Sequence, residues 1–368
     1  APDFSREETR SYFIDNALNC LTEFRFDGLR FDASDRLAAD GKDWLVDEIA
    51  DLARDRIRDR TIHLVVEDAR NVPAPMEDRQ GRPPSCRAAW NDDLHHAINV
   101  LTTGEASGHY EDFAADPLTG IRTALAEGFI YQGQPRSSKG GEPSGEPSRH
   151  LPPICFVNFL QNHDQIGNRL KGDRLSTLID AGIFKALTAM LYLSPQIPLT
   201  FMGEEFKAQT PFLFFSDHAA EDRVKALKGR LSEARNFGAT RADDLASVPD
   251  PNALDTFRAS KLDWKNATSG EGLWWRDFTR ELLEIRRRRI WPLIADPVPY
   301  SGRILRAVDG VIAVDWQLGR HRLELRCNLG KRDAMVPDMS GEVFYRLGGE
   351  PGETSWPPGA IAFASDPP

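Results

Sequence analysis

The chain has 368 residues, a formal net charge of −10 and a hydrophobic fraction of 40%, which is typical of a soluble protein with one large α/β domain and a small one. The negative charge argues against nucleic acid or an anionic membrane as the main partner, and it suits a neutral ligand such as a sugar. No apolar run approaches the ~20 residues of a membrane span. The four cysteines are scattered without metal-type spacing, so we expect reduced thiols, a cytoplasmic location and neither a metal nor a cofactor.

Helices and strands alternate through most of the sequence. A capping-box pattern at 5–8 and the apolar spacing after it predict a helix over 6–24. Further helices are predicted over 43–59, 117–127, 174–193 and 272–290. Short apolar runs predict strands at 29–32, 62–67, 154–161 and 197–202, with a candidate strand at 129–132. This alternation is typical of a parallel sheet with helical crossovers.

The pattern changes after Pro292, where short strands are separated by Gly and Pro. They are predicted at 303–308, 311–316, 320–328, 343–346 and 360–364. We therefore expect an antiparallel β-sandwich domain over 293–368 after a catalytic domain over 1–292. The Gly-, Pro- and Ser-rich segment 134–149 is interpreted as a flexible loop, either a lid or a solvated connection.

The alternating part contains about five βα units, whereas a closed barrel needs eight. The first helix begins at residue 6 with no strand before it. We therefore predict a (β/α)8 TIM-type barrel of which only about the last five units are present, with the opening three missing.

Three short segments end in an acid. Asp32 closes the run Asp27-Gly-Leu-Arg30-Phe-Asp32, Glu67 closes His63-Leu-Val-Val-Glu67, and Asp164 follows Asn162-His163. Barrel enzymes keep their chemistry at the C-terminal ends of strands, and glycoside cleavage needs one carboxyl to donate a proton and another to meet a sugar cation. Taken singly, Asp32 could form a structural ion pair with Arg30, and Glu67 could cap a helix.

Two polar clusters follow buried runs. The segment 162–169, Asn-His-Asp-Gln-Ile-Gly-Asn-Arg, offers several hydrogen-bonding groups for sugar hydroxyls. The segment 90–96, Trp-Asn-Asp-Asp-Leu-His-His, could suggest a metal, but consecutive histidines diverge by about 100° on a helix. We therefore favour a binding face there, and we interpret Glu204-Glu205 as a strand-end acid pair or a capping pair.

The order Gly-Leu-Arg-Phe-Asp, Val-Val-Glu-Asp, Asn-His-Asp resembles three signature segments of the α-amylase superfamily of glycoside hydrolases. The segments 90–97 and 159–169, together with 201–206, 210–218 and 260–264, resemble more specifically its trehalose-releasing branch. The resemblance covers nearly the whole chain. Two differences stand out: Ser34-Asp35 occupies positions where that branch commonly has Val-His, and the superfamily's first signature, an Asp and a His on the third barrel strand, is missing.

The resemblance implies a retaining mechanism in which Asp32 is the nucleophile, Glu67 the general acid and base, and Asp164 the stabiliser of the transition state. It also implies that Arg30 and His163 orient the nucleophile and the sugar. The implied substrate contacts lie at Arg30, Asp35, Asn91, Asp92, Asp93, His95, His163, Gln165 and Asn168. The bond cut would be the α-1,4 link next to the terminal trehalose of a maltooligosyltrehalose, an α-1,4-glucan substrate, in trehalose biosynthesis.

Two other readings stay open. One is a different enzyme of the same superfamily, such as a glucan branching enzyme, which would form α-1,6 branches instead of free trehalose. The other is an inactive or carbohydrate-binding remnant, motivated by the missing strands, which would leave an exposed parallel edge. Oligomeric state and chain-length preference have no signal in the sequence.

Overall fold

The computed structural model describes residues 2–37, 44–236, 245–350 and 352–366. Its strands are β1 (Gly28–Phe31), β2 (His63–Val66), β3 (Ala88–Trp90), β4 (Gln132–Arg136), β5 (Glu142–Gly145), β6 (Phe156–Phe159), β7 (Ile197–Leu199), β8 (Gly302–Ile304), β9 (Val311–Leu318), β10 (His321–Asn328), β11 (Ala334–Met335), β12 (Glu342–Leu347), β13 (Ser355–Trp356) and β14 (Ile361–Ser365). Its helices are α1 (Glu7–Thr22), α2 (Trp44–Arg56), α3 (Asp92–Thr103), α4 (Pro117–Glu127), α5 (His163–Asn168), α6 (Leu175–Leu178), α7 (Ala181–Leu193), α8 (Ala220–Asn236), α9 (Leu254–Ala259), α10 (Gly270–Ile285) and α11 (Trp291–Ile294).

A five-stranded parallel sheet carries the candidate site, in the order β1-β2-β3-β6-β7. Phe31 pairs with Val66, Val66 with Ala89 and Ala89 with Phe156, so the C-terminal ends of these strands lie side by side. The segments that follow them therefore share one edge of the sheet. Within the described residues β1 and β7 are the outer strands, each with a single neighbour.

Alternate residues of β1 and β2 face opposite sides of the sheet, which follows from the strand period of two. Phe31, Leu64 and Val66 pack into an apolar cluster with α1 and α2. Arg30 therefore points to the other side, and so does Asp32 two residues later. This alternation explains why an apolar run can carry a charged pair at its end.

Most sequence-predicted elements are present, with two corrections. The predicted helix 174–193 is divided into α6 and α7, because the Asp180 carboxylate accepts the backbone N–H groups of Gly182 and Ile183 and begins a new helix. The predicted strand 129–132 and the predicted flexible loop 134–149 are both wrong, because β4 and β5 form an antiparallel hairpin there. Positive φ angles at Gly140 and Gly141 provide its turn.

The C-terminal region contains a five-stranded antiparallel sheet, in the order β12-β14-β10-β9-β8. One face shares a large apolar core with α4 and α7, and the indole N–H of Trp316 donates to the Leu125 carbonyl at 2.9 Å. The other face packs against the two-stranded sheet β11-β13 through Val336 and Trp356. Among the described residues of this region, the predicted sandwich thus has a second layer of two strands, and α4 and α7 cover the other face of the five-stranded sheet.

In the part of the chain that the structure describes, no helix is long and apolar enough to cross a bilayer. Cys20, Cys155 and Cys327 are free thiols.

Candidate active site

Arg30 joins the acids that end β1 and β2. Its Nη1 lies 2.7 Å from Oδ1 of Asp32, and its Nη2 lies 3.7 Å from Oε2 of Glu67. The guanidinium also lies 3.9 Å from the centroid of the Trp90 ring, which is a cation–π distance. The planar guanidinium of Arg30 stacks on the Trp90 ring, and its two terminal nitrogens face the two carboxylates. It therefore holds both carboxylates in a defined relative position.

The backbone turn after Asp32 holds Glu67 from the other side. Ala33 has a φ of 45°, in the left-handed region, and this conformation directs its N–H to Oε2 of Glu67 at 2.6 Å. The next residue, Ser34, donates its N–H to the Glu67 carbonyl at 2.8 Å and its hydroxyl to Asp68 at 2.8 Å. The segments that follow β1 and β2 are therefore joined to each other by backbone and side-chain hydrogen bonds.

The two carboxyls have different surroundings. The Glu67 side chain is 22% exposed, whereas the Asp32 side chain is 77% exposed. Burial raises the pKa of Glu67, the Ala33 N–H and the Arg30 cation oppose that rise, and the charges of Asp32 and Asp164 add to it. A half-buried carboxyl with a raised pKa beside an open, cation-bound carboxylate is the arrangement that general acid catalysis with a nucleophile requires.

Asp164 lies in the first turn of α5, which begins right after β6. Asn162 caps this helix in a capping box with Gln165, so the local sequence fixes where the helix begins. Asn168, one turn later, donates from Nδ2 to Oδ1 of Asp164 at 2.8 Å. His163 is exposed, and its ring centroid lies 6.2 Å from that of Trp90.

Asp92 and Asp93, at the start of α3, face the same region. Asp92 accepts a hydrogen bond from Nε2 of Gln165 at 2.9 Å, and burial, together with the charges of Glu67 and Asp164, raises its pKa to about 7. Asp93 is buried and accepts the backbone N–H groups of Ile130 and Tyr131. Asp92 is thus within electrostatic reach of the two acids, while Asp93 holds the chain after α4.

An open cavity of about 180 Å³ lies beside these groups. Asp92, Asp93, Asp164, Gln165 and Asn168 line it, and so does Asp68, the neighbour of Glu67. Asp32 and Glu67 are not among its lining residues. The cavity therefore extends from the Asp164 side of the acid group.

Other sequence-predicted site residues lie elsewhere. Asn91 is fully buried and donates to the Gly128 carbonyl and to Asn158. His95 is 2% exposed, and its ring nitrogens contact the Leu160 carbonyl and the Tyr110 hydroxyl. Burial lowers the pKa of His95 to about 4, so it is neutral near pH 7. Substrate contact by Asn91 or His95 stays a prediction, because the structure places both in the interior.

Asp35 lies in the 3₁₀ turn Ser34–Arg36, immediately after the left-handed residue Ala33. Its Oδ2 lies 3.2 Å from Nε of Arg36, and its side chain is 22% exposed. Its substrate contact also stays a prediction.

Sequence reasoning missed several residues that line the cavity. Arg136 of the hairpin pairs with the buried Asp112 at 2.8 Å and lies 4.7 Å from the Tyr131 ring centroid. His96, whose Nδ1 is buried without a hydrogen-bond partner, lies edge-on to Tyr110 and close to the Phe113 ring. The Gly- and Pro-rich composition around Arg136 is typical of a loop, so Arg136 was not predicted as a site residue. The adjacent histidines were a signal for His96.

Glu204 and Glu205 begin the 3₁₀ turn Glu204–Phe206 after β7, whose N-cap residue is Gly203. Glu204 accepts the Phe201 N–H at 2.6 Å and a hydrogen bond from Gln161, and Glu205 accepts the Gly203 N–H at 2.8 Å. The pair therefore holds the backbone that leads into the turn, and it is not a side-chain cap of the turn itself.

Comparison with known proteins places the chain among carbohydrate-active enzymes. A solved structure from Salmonella typhimurium, provisionally described as an α-amylase, is 41% identical with a TM-score of 0.92, covering 99% of this chain and 61% of that one. A pullulanase from Anoxybacillus, solved with maltotetraose, is 16% identical with a TM-score of 0.56, covering 99% of this chain and 47% of that one. Residues 301–363 match a family model described as a domain of unknown function, DUF3459. Together with the signature acids, these likenesses define the class that the chain is similar to, the α-amylase superfamily of glycoside hydrolases.

The curated relatives are more specific. The malto-oligosyltrehalose trehalohydrolase of Rhizobium sp. (strain M-11) is 37% identical over 288 residues, which are 76% of this chain and 47% of the relative. That of Deinococcus radiodurans is 35% identical over 342 residues, 92% of this chain and 54% of the relative. Within the superfamily the chain is a homologue of the malto-oligosyltrehalose trehalohydrolases. It spans about half the length of the curated relatives it matches.

Proposed function

We propose that this chain carries the catalytic acids of a retaining glycoside hydrolase that releases trehalose from maltooligosyltrehalose by cutting the adjacent α-1,4 bond. The observation that carries the proposal is the Arg30 guanidinium, which binds Asp32 directly and approaches Glu67. The names of the relatives supply the substrate. Hydrolysis of a glucan bond needs only water as co-reactant, so the proposal requires no metal or cofactor.

In the proposed reaction, Asp32 attacks the anomeric carbon while Glu67 protonates the departing glycosidic oxygen. Water, deprotonated by Glu67, then cleaves the glucosyl ester and restores both groups. The different surroundings of the two carboxyls support these roles. Burial raises the pKa of Glu67, whereas Asp32 is open to solvent and bound to a cation.

Asp164 would stabilise the sugar cation, with Asn168 orienting its carboxylate through the 2.8 Å hydrogen bond. Arg30, Asp35, Asp92, His163, Gln165 and Asn168 are proposed substrate contacts. Asp93, Asn91 and His95 would act from the interior, by holding the chain around these groups.

We further propose that the five parallel strands are the last five of a (β/α)8 barrel. The sequential strand order and the sharing of one edge by all the acids support this arrangement. The proposed catalytic domain is 1–292 and the proposed C-terminal domain 293–368. The free thiols of Cys20, Cys155 and Cys327 are in keeping with a reducing compartment such as the cytoplasm.

The test is trehalose release from a defined maltooligosyltrehalose. Because the chain spans about half of its relatives, it is assayed alone and as a chimera preceded by the N-terminal portion of the Deinococcus radiodurans relative. We expect Glu67→Gln to lower the rate at least about 100-fold, whereas Glu284→Gln, an exposed glutamate of α10, has no effect.

Each other outcome has a distinct meaning. Trehalose release that survives Glu67→Gln contradicts the role of Glu67. New α-1,6 branches in place of free trehalose indicate a branching enzyme. Maltodextrin binding by both proteins without turnover indicates a carbohydrate-binding protein.

A further inference from the structure

A second cavity, of about 340 Å³, lies at the opposite end of β2 from Glu67. It is bounded by α2 on one side and by the segment that leads into β3 on the other. Its lining residues are Ala50, Ala53, Arg54, Ile57, Arg60, Thr61, Ile62, Leu64, Pro83, Pro84, Ser85 and Arg87. The cavity shares no lining residue with the cavity beside the acids.

The chain between β2 and β3 explains why this space is open. In a regular βα unit a crossover helix would cover the sheet here, but residues 67–87 form only a single 3₁₀ turn, Ala74–Met76. Pro83 and Pro84 supply no backbone N–H and disfavour a helix before β3. The apolar side chains of Ile57, Ile62 and Leu64, which also pack in the cluster with α1 and α2, therefore border a hollow on this side.

Three arginines and no carboxylate line the cavity. The Arg87 side chain is exposed, and no salt bridge or hydrogen bond within the described residues involves its guanidinium. In a chain of net charge −10, all the charged residues that line this concave site are cations, although Arg54 and Arg60 pair outside it with Asp51 and Asp27.

The other two arginines are fixed in place by the protein backbone. Arg60 donates from Nη1 to the Phe26 carbonyl at 2.8 Å and from Nη2 to the Leu21 carbonyl, and its buried Nε has no hydrogen-bond partner. Arg54 donates to the Pro84 carbonyl and pairs with Asp51 at 3.1 Å. Asp51 also pairs with Arg79 and Arg82, so it neutralises Arg54 only in part.

The pKa of Arg54 is in keeping with this excess of positive charge. Burial lowers the pKa of Arg54, and the neighbouring cations Arg79 and Arg87 lower it further, against the effect of Asp51. An anion placed among these groups would relieve that repulsion. Guanidinium groups bind phosphate oxygens through paired, charge-assisted hydrogen bonds.

We propose that this cavity binds a small phosphate monoester, with the phosphate at Arg87 and Arg54, and the carbon skeleton against Ile57, Ile62 and Pro84. The site is independent of glycoside hydrolysis, because the acids lie at the other end of the sheet. The arginines can bind a ligand but supply no nucleophile, so the proposed site binds its ligand without reacting with it.

The experiment is calorimetric titration of the whole chain at low ionic strength with inorganic phosphate, then with glycerol 3-phosphate, glycerol and chloride. We expect both phosphates to bind and glycerol and chloride not to bind. Arg87→Gln should weaken phosphate binding about tenfold, the scale of one charge-assisted hydrogen bond. Arg87→Lys should weaken it less, because it keeps the charge but loses the fork.

Arg58→Gln is the matched control, because Arg58 is an exposed neighbour of the same charge that does not line the cavity. Arg54→Gln provides a second variant on the other wall, and urea unfolding checks that each variant folds. Phosphate affinity that is unchanged by both Arg87→Gln and Arg54→Gln, or equally reduced by Arg58→Gln, would overturn the proposal. So would an absence of phosphate binding at about ten millimolar, because even a weak specific anion site fills at that concentration.

Discussion

The Nη2 atom of Arg30 lies 3.7 Å from Oε2 of Glu67, on the face of the sheet that holds the acids. The same guanidinium donates to Asp32 and lies against Trp90. The Arg30 side chain therefore acts on both carboxyls. It forms an ion pair with Asp32, and it limits how far burial can raise the pKa of Glu67.

Removing this cation should change the titration of Glu67. In Arg30→Met the pKa of Glu67 should rise, because the group that opposes the effect of burial is gone. Carboxyl ¹³C chemical shifts followed against pH measure the change directly. Arg30→Lys keeps the charge and should cause a smaller rise. An unchanged Glu67 titration in Arg30→Met would contradict the electrostatic link.

Asp92 should make stability depend on pH. Its pKa is about 7 in the fold and about 4 in an unfolded chain, so between these values the folded state binds a proton that the unfolded state has released. The free energy of unfolding should therefore fall as the pH rises from about 4 to 7, and stay lower above that. Asp92→Asn removes this slope and should stabilise the protein at pH 8, relative to pH 4.5, by about 2 to 4 kcal/mol.

Urea unfolding of the wild type and Asp92→Asn at the two pH values provides the measurement. Asn keeps an oxygen that can accept the Gln165 hydrogen bond, so the comparison isolates the charge. Asp55→Asn, at an exposed position of α2, is the control and should leave the slope unchanged. Parallel slopes in the wild type and Asp92→Asn would show that Asp92 is not the group responsible.

Gly28 should be intolerant of a side chain. A Cβ there would lie 2.0 Å from the carbonyl oxygen of His63, so Gly28→Ala would force β1 away from β2. We expect a loss of at least about 2 kcal/mol in the free energy of unfolding, the scale of overpacking in a fixed core. Gly229 in α8 has open space at its Cβ position, and Gly229→Ala should be neutral or stabilising. Equal stability of the two variants would contradict the close approach of the strands.

Trp316 should connect the stability of the antiparallel sheet to that of α4. Trp316→Phe removes the hydrogen bond to Leu125 and part of a fully buried ring, at a cost of about 2 kcal/mol. Trp291→Phe, at a residue that is 55% exposed, should cost little. Calorimetry should show a single transition that moves to lower temperature in Trp316→Phe. Two separate transitions, with only one shifted, would contradict a shared core.

The acids at strand ends could be predicted from the sequence because a strand and its following residue are local features. Apolar runs located β1, β2 and β6, and the residues after them are Asp32, Glu67 and the Asn162 cap before Asp164. The same logic does not predict the surroundings of His95. It lies on a helix that sequence reasoning treated as a binding face, but its partner, the Leu160 carbonyl, is 65 residues away in the chain.

The hairpin β4-β5 shows a different limit. Its Gly, Pro and Ser content is typical of loops, yet it is held by backbone pairing and by the Arg136–Asp112 ion pair, whose members are 24 residues apart. Composition reports the preference of isolated residues, whereas this ion pair exists only once the fold brings its members together. The cavity wall at Arg136 could therefore not be inferred from the segment itself.

The left-handed backbone at Ala33 places selection for stability in conflict with selection for turnover. A φ of 45° is costly for alanine and nearly free for glycine, so Ala33→Gly should relieve on the order of 1 kcal/mol of strain. Yet the same N–H positions Glu67, and a glycine would let that alignment relax. Selection for thermal stability alone would favour glycine here, whereas selection for turnover would favour keeping the more rigid residue.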